Sequence, residues 1–184
     1  MTRNKALDAS TYAFHYGERV LVDANVWIYL QPPISKPAPR YAWRYSAAMK
    51  SLLVAGATPV IEALILSEYL NRYLRLEHEA CWLGLYPRFK DFRSSTDFAS
   101  AALAAVGDAR NILKLASPEH TPLPDIDLPT ILVETEAGTL DFNDGVLVET
   151  CRLRRWKLLT NDFDMSIGGI DILTTNPRLL AACP

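Results

Sequence analysis

The sequence has few cysteines, no long apolar run and no large excess of either charge. Its three cysteines are odd in number and lie far apart, which excludes a disulfide framework and a cysteine-rich metal cluster. No apolar segment reaches the roughly 20 residues that a membrane-spanning helix needs, and residues 1–20 contain no apolar core of a secretory signal peptide. We therefore expect a cytoplasmic protein in a reducing compartment, without membrane association.

The charge balance also excludes one class of nucleic-acid binder. Nineteen Lys and Arg residues against 21 Asp and Glu residues give a formal net charge of −2, whereas proteins that bind nucleic acid mainly through bulk charge are strongly basic. The apolar fraction of 49% in 184 residues is sufficient to fill the core of one domain. Wholesale disorder is excluded by the same composition.

Short apolar segments alternate with longer helical ones along most of the chain. Strands are predicted at 19–23, 57–61, 157–160 and 170–173. Helices are predicted at 24–30, 41–55, 62–82, 94–116, 130–137 and 141–156, with a short helix opened by Asn176-Pro177. This alternation predicts an α/β fold, a three-layer α/β/α sandwich with a central parallel sheet.

Segments outside this alternation give the expected domain organisation. Residues 1–18 are polar and are expected to form an N-terminal arm, and residues 176–184 a C-terminal tail. The main domain then spans 19–175, with a helical insertion near 81–127. The proline-rich segments 31–40 and 117–129 are predicted to be loops.

Three acidic residues are placed together by this topology. Asp23 ends the first predicted strand, and Asp162 lies two residues beyond Leu159 in a later strand. Asp144 lies in the first turn of the helix that leads to that later strand. Because the carboxyl ends of parallel strands share one edge of a sheet, ligands bind in the crevice beyond that edge. We therefore expect these carboxylates to converge there.

A fourth acidic candidate lies on the long helix predicted at 62–82. Glu68 lies away from the leucine stripe of that helix, and Arg72 and Arg75 follow at i+4 and i+7 on its own face. A carboxylate flanked by two arginines is a plausible edge of a site for an anionic substrate. Arg72 and Arg75 are therefore candidate substrate-binding residues.

Several carboxylates in one crevice repel one another, and they either take up protons or bind a cation. Hard divalent ions such as Mg²⁺ and Mn²⁺ prefer oxygen ligands. No His or Cys cluster competes, so zinc is not expected. A metal held in this way could activate a water molecule and stabilise charge on a phosphodiester.

Three segments carry a family resemblance. The motifs LVDANVWIY (21–29), LSEYLNRYLR (66–75) and DFNDGVLVETCRLRRWKLLTNDFDM (141–165) resemble the successive acidic motifs of PIN-domain nucleases. They are most similar to those of the VapC group, the toxin ribonucleases of bacterial toxin–antitoxin pairs. The resemblance covers about residues 19–175.

The resemblance implies a fold, a reaction and a set of site residues. It implies a PIN-like α/β/α fold that cleaves RNA with one or two Mg²⁺ or Mn²⁺ ions, a homodimer, and inhibition by a cognate antitoxin. The implied catalytic and metal-binding residues are Asp23, Glu68, Asp144 and Asp162. Residues expected to support them are Asn25, Thr160 and Asp164, where Asn25 orients Asp23 or closes the turn and Asp164 is an outer-shell residue.

Each motif also has a purely structural explanation. Asp23 and Asp162 could cap turns, Asp144 could be a first-turn acid favoured by the helix dipole, and Glu68 with Arg72 could be an ordinary i,i+4 pair. Asp141 is assigned as a helix cap. A PIN-like module that binds RNA or protein without cutting remains the main alternative. A phosphatase of the D-x-D type lacks its second acid at Asn25, and no P-loop is present.

Overall fold

The protein, described here as a computed structural model for residues 2–184, forms one parallel sheet with helices on both faces. The strands are β1 (Lys5–Asp8), β2 (Arg19–Val22), β3 (Thr58–Glu62), β4 (Ser117–Glu119), β5 (Lys157–Leu159) and β6 (Asp171–Thr174). The helices are α1 (Ala24–Leu30), α2 (Ala42–Val54), α3 (Ala63–Glu77), α4 (Phe89–Arg93), α5 (Phe98–Leu115), α6 (Leu128–Glu136), α7 (Phe142–Arg154) and α8 (Pro177–Ala182). A π-helical turn extends α3 at His78–Trp82, and 3₁₀ turns occur at Leu123–Asp125 and Phe163–Ser166.

The strand order is β1-β6-β5-β2-β3-β4, and every adjacent pair within the described residues is parallel. The predicted three-layer α/β/α architecture is therefore confirmed. Val20, Leu21 and Val22 of the central strand are fully buried. Strands buried on both faces read as continuous apolar runs rather than as alternating patterns, which is why β2 could be recognised from sequence.

The expectation of an N-terminal arm over residues 1–18 is wrong, because part of that segment is a strand. β1 pairs in parallel with β6 at one edge of the sheet. Asn4 is buried beside it: its Nδ2 donates to the carbonyl oxygens of Met165 and Ile167 at 3.0 Å, and its Oδ1 accepts from the Ile170 amide at 2.9 Å. An edge strand has one neighbour only, so the polar sequence KALD lacks the apolar signal of a buried strand.

The region predicted as a helical insertion near 81–127 is integrated into the domain. One face of α5, with Ala105, Ala109 and Ile112, is buried in the main core and packs against α3. The loop prediction for 117–129 is wrong at its start, because β4 extends the sheet beyond β3. Pro118 made this strand hard to predict from the sequence, because proline in a sheet is confined to edge strands or bulges. β4 is such an edge strand.

Several predicted helix boundaries are confirmed. Gly56 follows α2 with a positive φ of +73°, the left-handed conformation that favours glycine after a helix. Asp141 is the N-cap of α7, and its Oδ1 accepts a hydrogen bond from the Asp144 amide at 2.9 Å. Helix α8 packs the 176–184 segment onto the sheet, with Leu179 and Cys183 fully buried. Within residues 2–184, no helix is both long and apolar enough to cross a membrane.

The register of the two central strands positions the candidate site. Val22 of β2 lies opposite Leu159 of β5, so Asp23 and Thr160 both follow directly beyond their strands at the same edge. The Asp23 amide donates to the Leu159 carbonyl at 3.0 Å, which continues the pairing by one step. Two segments distant in sequence therefore meet at the carboxyl edge of the sheet.

Candidate active site

Asp23 is the most buried acid of the site. It lies between β2 and α1 and is only 4% exposed. Its Oδ2 accepts hydrogen bonds from Asn25 Nδ2 at 2.5 Å and from Thr160 Oγ1 at 2.6 Å. Asp23 occupies the N-cap position of α1, but its side chain makes no capping hydrogen bond to that helix. The bonds from Asn25 and Thr160 fix the carboxylate.

The loop after β5 is tied to Asp23 by the same polar network. Thr160 Oγ1 accepts from the Asp162 amide at 3.0 Å, and Asn25 Oδ1 accepts from the Asn161 amide at 3.1 Å. Asp162 is half-buried, and its Oδ1 accepts from the Asp164 amide at 3.1 Å. Asn25 and Thr160 thus connect the turn after β2 with the turn after β5.

Glu68 and Asp144 approach this edge from two different helices. Glu68 lies in the middle of α3, and Asp144 lies in the first turn of α7; both are half-buried. Within residues 2–184, neither side chain has an ion-pair partner, and Arg72 forms no ion pair with Glu68. The ordinary i,i+4 pair that the sequence allowed is therefore not formed.

The pKa shifts of Asp23, Glu68 and Asp144 indicate that these carboxylates and that of Asp162 lie close enough to interact. Burial raises the pKa of Asp144 to about 8, and the negative charges of Asp141, Asp23, Asp162 and Glu68 add to this effect. Burial is also the main cause of the raised pKa values of Asp23 and Glu68. The charge of Asp162 raises the pKa of Asp23 further, and the charge of Asp23 raises that of Glu68, while Arg72 partly offsets the latter. Acids from four separate segments of the chain therefore form one centre of negative charge.

The chemistry of this donor set suits a hard divalent ion. All four groups offer carboxylate oxygens, and such ions keep several waters and take only one or two carboxylates directly. No group of three or more Asp, Glu, His or Cys residues in the described range lies within ligating distance of one point. A cation at this edge would therefore be held by part of the set directly and by the rest through water.

The remaining predicted residues lie at different distances from the four acids. Arg72 is exposed and lines a groove of about 200 Å³ beside Asp162. Arg75 faces the other way, with its guanidinium 4.7 Å from the centre of the Phe89 ring. Asp164 is exposed and lines a pocket of about 410 Å³ together with Asp144. Of the two arginines, only Arg72 lies beside the acids.

Sequence reasoning missed a buried tyrosine behind the site. The Tyr45 side chain is fully buried on α2, and its hydroxyl donates to Asn161 Oδ1 at 2.8 Å and accepts from the Thr175 amide at 3.2 Å. Asn161 Nδ2 in turn donates to the Tyr29 hydroxyl at 3.0 Å. Tyr45 therefore connects α2 with the turns after β5 and β6. Tyrosine on an amphipathic helix normally indicates core packing, so the sequence pattern of α2 did not predict this role.

We expect Tyr45→Phe to lower the activity of the site by roughly 10-fold and the free energy of unfolding by about 1–3 kcal/mol. The substitution leaves Asn161 Oδ1 and the Thr175 amide without the hydroxyl and loosens the turn that carries Asp162. Kinetics of the RNA cleavage expected from the sequence, together with thermal unfolding, measure the two effects.

Tyr12→Phe is the matched control, because the Tyr12 hydroxyl donates to Glu18 Oε1 at 2.8 Å, near the amino end of β2. It should cost stability without lowering activity. An equal activity for the fully folded Tyr45→Phe and Tyr12→Phe proteins would contradict a positioning role for Tyr45.

Comparison of the sequence with protein-family models and with curated proteins gives no match. The structure, in contrast, is similar to a chain in the crystal structure of VapBC2 from Rickettsia felis bound to a DNA fragment from their promoter, with a TM-score of 0.52 and 13% identity over 85% of this chain and 98% of that chain. The fold is therefore PIN-like. PAE2754 from Pyrobaculum aerophilum also aligns, with a TM-score of 0.48 and 17% identity over 90% of this chain and 95% of that chain.

The PIN-like fold accounts for the placement of the acids in ordinary topological terms. In an open parallel sheet the site lies beyond the carboxyl ends of the strands, which is where Asp23 and Asp162 lie. At 13% identity the similarity shows the fold alone. The chemistry must be argued from the residues of this chain.

Proposed function

We propose that this protein is a metal-dependent endoribonuclease that hydrolyses RNA phosphodiester bonds, and that it is the toxin of a type II toxin–antitoxin pair. The observation that carries the proposal is the convergence of four carboxylates without any ion-pair partner in the described residues. Burial raises the pKa of Asp144 to about 8, and the repulsion from the other three carboxylates adds to this effect. A divalent cation would relieve this repulsion, and a non-cutting module has no need to maintain it.

Asp23, Glu68, Asp144 and Asp162 would hold one or two Mg²⁺ or Mn²⁺ ions, directly or through water. When bound, the metal supplies a nucleophilic water at neutral pH and stabilises negative charge on the phosphodiester. Asn25 and Thr160 hold the Asp23 carboxylate in one orientation through their hydrogen bonds to Oδ2. Asp23 therefore enters the reaction without an entropic cost of ordering its side chain.

The remaining residues have supporting roles in this proposal. Asp164 lies at the entrance of the site as an outer-shell residue, and its amide fixes Asp162 Oδ1. Arg72, exposed beside Asp162 in the groove of about 200 Å³, contacts an RNA phosphate. Arg75 lies over the Phe89 ring and does not line the groove beside Asp162, so no phosphate contact is proposed for it.

The partners form part of the proposal as well. The similar VapBC2 structure holds a DNA fragment from the promoter, and VapC-type proteins are expected from resemblance to dimerise and to be inhibited by an antitoxin. We propose the same for this chain: a homodimer in the cytoplasm with a cognate antitoxin. A small DNA-binding protein encoded by the adjacent reading frame would support this part.

Cleavage of a labelled single-stranded RNA by the purified protein tests the reaction. We expect cleavage with Mn²⁺ or Mg²⁺, none with excess EDTA, and restoration when the ion is added back. Because the proposed nucleophile is water, the products should lack 2′,3′-cyclic phosphate ends, which an attack by the RNA 2′-hydroxyl would leave. Failure to cut any RNA with any divalent ion would overturn the proposal and favour the non-catalytic module.

A further inference from the structure

A second groove lies next to the groove beside Asp162. It measures about 360 Å³ and is lined by Tyr41, Arg44, Asn161, Thr175, Asn176 and Pro177. Asn161 and Asn176 also line the groove of about 200 Å³ that contains Asp162 and Arg72. The two grooves therefore share a wall formed by Asn161 and Asn176. Together they are hereafter called the α2–α8 channel, which is lined by Asp162 in one groove and by the exposed Arg44 in the other.

Arginines from three different helices border the α2–α8 channel. Arg44 lies on α2 and Arg72 on α3, and both line it. Arg178 on α8 places its guanidinium 4.4 Å from the centre of the Phe163 ring, which also lines the channel. All three side chains are exposed, and none forms an ion pair within residues 2–184. Their charges face solvent and are free to meet phosphate.

The amide side chains of the channel are already occupied. Asn161 Nδ2 donates to the Tyr29 hydroxyl at 3.0 Å, and Asn176 Nδ2 donates to the Asn161 carbonyl at 2.9 Å. Asn176 Oδ1 accepts from the Arg178 amide at 3.0 Å. These bonds hold the amide groups in the walls of the channel, and each NH₂ retains a second N–H donor. The exposed groups of the channel include the arginines and the flat faces of Tyr41 and Pro177.

Another pocket beside the acids has the reverse charge. The pocket of about 410 Å³ contains Asp141, Asp144 and Asp164 and no Lys or Arg among its lining residues. A polyanion that reaches the acid centre would therefore be repelled on that side and attracted on the side of the α2–α8 channel. This asymmetry is a property of the chain and does not depend on a bound ion.

We propose that the α2–α8 channel binds the single-stranded RNA that adjoins the scissile phosphate on one side only. The proposal rests on the proposed endoribonuclease function and extends it. Arg44 contacts a backbone phosphate beyond the one nearest the acids, and the Tyr41 ring supports a base. Because single-stranded RNA can place an unstacked base on an aromatic side chain, it fits such a channel better than a duplex does.

Binding of a fluorescent 12-nucleotide RNA to the Asp144→Asn protein, without added metal, tests this inference without cleavage. In that background, Arg44→Ala should weaken binding roughly 5- to 10-fold and reduce the slope of log affinity against log salt by about 0.7, the value of one single-strand phosphate contact. Lys50→Ala is the matched control, since Lys50 is exposed on the same helix and does not line the channel. It should change neither quantity.

The one-sidedness is tested with the active protein. The cleaved bond is first mapped, and RNAs are then shortened on its 5′ or its 3′ side. Shortening should lower the cleavage efficiency on one of the two sides only. For the Arg44→Ala protein, shortening on that side should have little further effect. Equal dependence on both sides would overturn the inference, and so would unchanged binding by Arg44→Ala or no RNA binding at all. Metal-dependent cleavage by the unmodified protein would stand in each of those cases. Conversely, binding through Arg44 without any cleavage would overturn only the endoribonuclease proposal.

Discussion

Asp144→Asn should abolish metal-dependent RNA cleavage, with a loss of roughly 10³-fold or more in rate. Asp144 lies where the charges of Asp23, Glu68 and Asp162 all act on it, so its ionised form needs a compensating cation. Asparagine keeps the size of the side chain and offers a neutral oxygen, which binds a divalent ion far less strongly. Rates measured with saturating Mn²⁺ on a labelled single-stranded RNA give the result.

Asp141→Asn is the matched control for this substitution. Asp141 lies three residues earlier on the same helix end, and its charge also raises the pKa of Asp144. Asparagine is as good an N-cap as aspartate, so the control removes one negative charge without removing a proposed ligand. Equal activity of the two variants would show that Asp144 is not part of the catalytic centre. Asp23→Asn should behave like Asp144→Asn.

The metal-free protein should become less stable as the pH rises from about 5.5 to 8. The folded-state pKa of Asp144 is about 8, whereas an unfolded aspartate titrates near about 3.9. Between these values the folded state holds a proton that the unfolded state has released, so rising pH favours unfolding. The raised pKa values of Asp23 and Glu68 act in the same direction.

Two further results distinguish this effect from general alkaline destabilisation. Asp144→Asn should stabilise the metal-free protein at pH 8 by on the order of 2 kcal/mol and flatten the pH dependence. Added Mn²⁺ should stabilise the unmodified protein, by about 2.7 kcal/mol at 100 times the dissociation constant, and the variant much less. Thermal unfolding at pH 5.5 and pH 8, with and without Mn²⁺, measures all of these.

Asp127→Asn provides the control for the pH experiment. Asp127 accepts hydrogen bonds from the Thr130 hydroxyl and, as the N-cap of α6, from the Thr130 amide, and these bonds hold the pKa of its carboxyl below the ordinary value. It is charged in both folded and unfolded states above about pH 5, so its replacement should leave the slope between pH 5.5 and 8 unchanged. If Asp144→Asn has the same slope as Asp127→Asn, Asp144 does not carry the raised pKa.

The sequence predicted the features that depend on strongly apolar strands and on their ends. β2 and β5 could be recognised because both are buried, and a parallel sheet then places Asp23 and Asp162 at one edge. β1 and β4 were missed because an edge strand tolerates polar residues and even Pro118. Local pattern alone could therefore define the centre of the sheet and not its borders.

In the candidate site, too, the residues placed by local pattern could be predicted and those placed by tertiary contacts could not. The acids were found because each lies at a fixed offset from a strand or a helix start. The role of Tyr45 was not found, since it depends on three turns brought together in space. The packing of Arg75 on the Phe89 ring could not be predicted either, because helical spacing alone places Arg75 on the same face as Glu68.

The hydrogen bond between Thr160 and Asp23 has a consequence for the synthesis of the protein. It joins residues 137 positions apart, and the pairing of β2 with β5 spans the same distance. Contacts of such long range make folding slow, and they cannot form until the ribosome has released the later segment. A nascent chain that ends before residue 160 lacks both Thr160 and Asp162. The acid centre is therefore assembled only after this segment has left the ribosome, so a chain that ends before it carries no competent site.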